Sequence, residues 1–100
     1  MINGYEFSNE NLKKAIDLAI NNQITNKELI DWCFRYLNDI YFNDNESTPL
    51  DDKATEVVLD IDNQWELYLS NTFTLSELQI IDLETIKMPS EWLENWFQSI

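Results

Sequence analysis

One hundred residues carrying 19 acidic and 6 basic side chains, no histidine and a formal net charge of -13 leave room for one domain, residues 1–100, around one core. That charge excludes direct binding to a phosphate backbone and attachment to an anionic membrane surface, because both need clustered Lys and Arg. A 44% hydrophobic content with 13% aromatics equally excludes a disordered acidic tail.

The lone cysteine, Cys33, rules out an intramolecular disulfide and a multi-thiolate metal site. The segment MINGYEFSNENLKK has no basic stretch followed by an apolar run, so no secretory signal is expected. Apolar runs fall far short of the roughly 20 residues that cross a bilayer, and a cytoplasmic location is the expectation. One glycine and two prolines disfavour folds built on many tight turns and favour helices.

In chain order, Ser8 is placed to cap a first helix whose apolar positions Leu12, Ala15, Ile16, Ala19 and Ile20 follow helical spacing. The polar run Asn21-Asn22-Gln23 ends it. Thr25 and Glu28 form a capping box that opens a second helix through Leu29, Ile30, Trp32, Cys33, Phe34, Tyr36, Leu37, Ile40 and Tyr41. Apolar around most of its circumference, this helix is expected at the centre of the core. Residues 43–48, NDNEST, read as an exposed loop, and Thr48-Pro49 reads as the cap and first turn of a third helix.

Val57, Val58, Ile61, Trp65, Tyr68 and Leu69 keep helical spacing and predict about five turns. The alternation of Val57, Leu59 and Ile61, then of Trp65, Leu67 and Leu69, leaves a small hairpin at about 57–69 as the alternative, with an α+β fold. A second capping box, Thr74 with Glu77, predicts a fourth helix ending before Pro89, although 79–86 also suits a strand. Ser90 is placed to cap a last short helix with a stripe of Trp92, Leu93, Trp96, Phe97 and Ile100. The whole reads as an all-α, single-domain antiparallel bundle of four to five helices.

Catalytic chemistry finds little material. Histidine is absent, Cys33 lies on the expected core helix, and no glycine-rich loop cradles a phosphate. Asp60 and Asp62 are two apart and face nearly opposite sides of a helix, while Glu56 with Asp60 and Asp62 with Glu66 share faces at i, i+4. Asp60-Ile-Asp62 begins like a calcium loop, but its sixth position would be Trp65 instead of glycine and its twelfth Asn71 instead of glutamate. A looser divalent site at Asp51, Asp52 and Glu56 stays open. No catalytic residue, metal or other cofactor is expected.

Between positions 39 and 66 there are nine acids and one base, Lys53, and from 54 to 86 there is no base at all. Helices usually offset such a run with Lys or Arg one turn on. The pattern fits a surface that steers and docks a basic protein partner. Asp44, Glu46, Asp51, Asp52, Glu56, Asp60, Asp62 and Glu66 would carry the charge, with Trp65 and Tyr68 as aromatic anchors.

Residues 12–39, LKKAIDLAINNQITNKELIDWCFRYLND, resemble the opening of bacterial immunity proteins of the colicin D immunity and contact-dependent inhibition type. The resemblance covers about residues 10–70: a short helix ending in a polar turn, Ile-Thr opening the next helix, then an acidic third helix. It implies a small cytoplasmic protein that neutralises a cognate basic toxin domain, with a nuclease as the expected class, by occluding its active site. The tail TLSELQIIDLETIKMPSEWLENWFQSI departs from the group. A phage-encoded nucleic-acid mimic, such as an anti-CRISPR inhibitor, is the alternative that the acidity equally allows.

Overall fold

The computed structural model describes residues 5–43 and 49–100. It is all-α: α1 spans Asn9–Ile20, α2 Asn26–Asp39, α3 Asp52–Thr72, α4 Leu75–Ile80 and α5 Ser90–Gln98, with single 3-10 turns at Tyr41–Asn43 and Leu83–Thr85. No strand occurs among the described residues, and no helix there is long and apolar enough to cross a membrane.

α1 starts where the Ser8 hydroxyl accepts the Asn11 N–H at 3.1 Å. It ends in a Schellman turn, in which the Gln23 N–H returns to the Leu18 carbonyl and the Asn22 N–H to that of Ala19. Asn22 supplies the left-handed residue, φ 59°, a conformation asparagine tolerates better than most side chains. α2 opens on the expected capping box, with the Glu28 N–H donating to the Thr25 hydroxyl and the Thr25 N–H to the Glu28 carboxylate.

α2 is the central helix. Leu29, Ile30, Trp32, Cys33, Tyr36 and Leu37 are buried, and the helix packs on α1, on α3 and on both 3-10 turns. Phe7 lies edge-on to Trp32 and Tyr36 at 5.1 and 5.5 Å, and the Trp32 indole donates to the Tyr5 carbonyl. The Tyr36 hydroxyl meets that of Thr55 at 3.1 Å in the buried contact with α3. The helix stops at Asp39, short of the expected Tyr41, which sits in the following 3-10 turn with its ring partly in solvent.

α3 is one continuous helix of 21 residues, roughly 31 Å long, and not a hairpin. Its stripe of Ala54, Val58, Ile61 and Trp65 recurs every three to four residues and so falls on one buried face, and α2 packs against the helix. The expected Thr48-Pro49 start is corrected: Thr48 lies outside the described residues, Pro49 precedes the helix, and Asp51 is the cap. One Asp51 oxygen accepts the Ala54 N–H at 2.8 Å and the other the Asn9 side-chain amide at 2.7 Å, while the Asp51 N–H donates back to the Asn9 Oδ1.

The fourth helix is also shorter than expected. Its capping box forms, but the helix ends at Ile80 and the chain runs extended through Ile81. Asp82 then caps the 3-10 turn by accepting the Glu84 N–H. Bonds to the start of α2 determine this course: the Met88 N–H donates to the buried Asn26 Oδ1 at 2.8 Å, and the Thr25 hydroxyl donates to the Glu84 carboxylate at 2.7 Å. A helix continued to Pro89 would pair the Met88 N–H within itself and leave the buried Asn26 Oδ1 without this donor, at a cost of about 1–3 kcal/mol. Ile86 and Met88 are buried in consequence. α5 begins at Ser90 itself, after Pro89 and without the expected side-chain cap, and packs on α1, with Leu93 and Trp96 buried.

Candidate functional site

Successive residues of a helix turn by roughly 100°, so the acids of α3 fan out instead of forming one row. Asp52 and Glu56 are exposed on the outer face. Asp60 leans toward α5, where its carboxylate accepts the Trp96 indole N–H at 2.7 Å. Asp62 turns to the opposite flank, half-buried near Cys33 of α2, with Glu66 one turn further on and exposed. Asp51 is occupied as the helix cap. Asp44 and Glu46 lie outside the described residues.

Two expected anchors need correction. Trp65 is 5% exposed and belongs to the core, because it falls on the same stripe as Val58 and Ile61. Tyr68 is half-buried, its ring edge-on to Trp92 at 5.8 Å, and Trp92 in turn meets Trp96 at 6.4 Å. The aromatic that the fold does expose beside the acids is Tyr41, 40% accessible and sharing a shallow depression with Asp52 and Glu56. Phe42, 62% exposed, lies edge-on to it at 5.3 Å.

A second depression runs between α3 and α5. Glu56, Asp60 and Gln64 form one wall, with Lys53 at its end, and Trp92 and Ser99 the other, with Trp96 beneath. A carboxylate beside aromatic faces suits a lysine or arginine side chain, which gains both charge pairing and a cation–π contact. The sequence contained a signal for this wall in the i, i+4, i+7 spacing of Trp92, Trp96 and Ser99, but the same spacing describes a core stripe, and only the packing of α5 on α1 turns Trp92 toward Asp60.

None of Asp52, Glu56, Asp60, Asp62 and Glu66 forms an ion pair with a described residue. Burial, and then the Glu66 charge, raises the Asp62 carboxyl above its ordinary value, whereas the Ala54 N–H, followed by the Asn9 amide, lowers that of Asp51. The Cys33 thiol is fully buried and pushed far above the ordinary range, first by desolvation and then by the Asp62 charge, so it stays protonated. Among the described residues no group of three Cys, Asp or Glu side chains could hold a metal ion.

Comparison with protein-family models, with curated proteins and with solved structures finds no match. The functional reading therefore rests on this geometry and on the charge pattern of the chain.

Proposed function

We propose that this protein is a non-catalytic inhibitor that acts in the cytoplasm: an immunity protein that binds a basic toxin domain, of nuclease type, and occludes its active site. The observation that carries the reading is the outer face of α3, where exposed carboxylates stand without an ion-pair partner among the described residues and no Lys or Arg occurs from 54 to 86. Like charges one turn apart cost a few tenths of a kcal/mol per pair in the free protein. A lysine- and arginine-lined cleft relieves that repulsion, and the carboxylates then occupy the place of substrate phosphates.

Asp52 and Glu56 are the leading contacts, with Tyr41 and Phe42 as the adjoining aromatic anchors. The trough at Asp60 accepts a basic side chain, and Asp62 and Glu66 extend the field along the other flank. Asp51 contributes charge while remaining the cap of α3.

The test is inhibition of the toxin encoded beside this gene. Stoichiometric addition of the protein abolishes toxin activity, affinity falls as salt rises, and the exposed pair Asp52→Lys with Glu56→Lys weakens binding at least about tenfold. Tight association that ignores salt and survives that reversal would overturn the mechanism. An inhibitor that leaves the toxin untouched but blocks a DNA-binding complex would instead be a nucleic-acid mimic.

A further inference from the structure

The end of α3 and all of α4 form an arm without a fully buried residue, held to the body through the partly buried Tyr68 and Leu69. α3 has no buried residue after Trp65, α4 has none at all, and α4 takes no part in the main contacts between elements. Half of the large exposed hydrophobics of the described residues fall within 67–80: Leu67 at 51%, Leu75 at 75% and Ile80 at 86% exposure. Single exposed apolar side chains are ordinary, but three on one arm of a small domain are a concentration.

The arm is nevertheless built. Six residues are too few for a helix to persist by propensity, yet α4 is closed by a complete capping box, with the Glu77 N–H donating to the Thr74 hydroxyl at 3.2 Å and the Thr74 N–H to the Glu77 carboxylate at 2.9 Å. Its charge is of one sign: Glu66, Glu77 and Asp82 punctuate the segment, which lies wholly inside the stretch that has no base.

We propose that this arm is a second docking surface, shaped for an apolar strip flanked by lysine and arginine on a protein partner. The inference rests on the reading of the chain as an inhibitor of a basic protein and adds an apolar contact to it. Charge complementarity selects this occupant over a second copy of the chain, since a copy would bring its own net charge of -13 against an arm that is already acidic.

The experiment uses the whole isotope-labelled chain and two synthetic helical peptides of equal positive charge, one with leucine at i, i+3, i+4 and i+7 flanked by lysine and one with glutamine in place of each leucine, with amide shifts followed during titration. The leucine peptide is expected to shift residues 67–80 and to bind at least about tenfold more tightly than the glutamine peptide, the effect of burying two aliphatic side chains. The double variant Leu75→Ser with Ile80→Ser removes that advantage and keeps the circular dichroism of the native protein, because neither side chain is buried. Equal binding of both peptides, with shifts confined to Asp52, Glu56 and Asp60, would overturn the arm and leave the acidic-face function standing. Absence of binding by either peptide would overturn both. A dimer in sedimentation that the same double variant dissolves would overturn the basic partner in favour of a second copy.

Discussion

Along α3, Ala54, Thr55, Val57, Val58, Ile61 and Trp65 are buried, whereas from Glu66 to Thr72 only Tyr68 and Leu69 are even partly so. The apolar spacing does not change between the two halves, since Tyr68 and Leu69 continue the stripe. What changes is the neighbour: the first half lies along α2, with the Tyr36–Thr55 hydroxyl contact between them and Asp51 bonded to Asn9 of α1, whereas the described aromatic contact of the second half is that of Tyr68 with Trp92 of α5. Periodicity marks which face of a helix is apolar; how far along the helix a partner extends is set by tertiary structure.

The sharpest way to break this contrast is a matched pair of truncations on α3. Ile61→Ala should cost about 2–5 kcal/mol, the range for a cavity left by a buried aliphatic side chain, and Leu67→Ala should stay within about 0.5 kcal/mol. Urea midpoints measure both, and similar losses would mean that the two halves share one environment.

Asp62 gives a smaller effect on the body side. Its carboxyl is raised in the folded state, so the ionised form opposes folding at neutral pH, and that penalty fades as pH falls through the raised value toward 3.8. Asp62→Asn should therefore raise the urea midpoint near pH 7, with the gain gone by about pH 3. Asp51 has the opposite sign: its lowered carboxyl stabilises the fold above its unfolded value, and that contribution is lost as pH falls through the folded one.

The smallest global effect belongs to the arm. Thr74→Ala removes the hydroxyl that accepts the Glu77 N–H and leaves only the return bond from the residue-74 N–H to the Glu77 carboxylate, so amide exchange across Leu75–Ile80 should speed up while the urea midpoint moves little, because local opening of α4 uncovers no core residue. A midpoint shift as large as that of Ile61→Ala would place the arm inside the cooperative unit.

The all-α class and the starts of α1, α2 and α4 were legible because Ser8, Thr25 with Glu28, and Thr74 with Glu77 act over three residues of sequence. The start of α3 was not, since Asp51 is held in place by Asn9, 42 residues away. Nor was the end of α4, where Asn26 draws in Met88 across 62 residues and the segment QIID carries no local mark of that bond. The acids of the candidate site were readable as a charge pattern, but their division between two flanks depends on the helix and on the positions of Trp96 and Cys33. Trp65 and Trp92 share a residue type and helical spacing, and only packing sends one inward and leaves the other on the wall of the trough.

Cys33 gives the body a clock of its own. With its one thiol sealed in the central helix and held protonated, the native chain should resist alkylation, and a modifying reagent would react only in the moments when α2 separates from its neighbours. Fraying of α4 would leave that clock silent, so the labelling rate counts openings of the body alone.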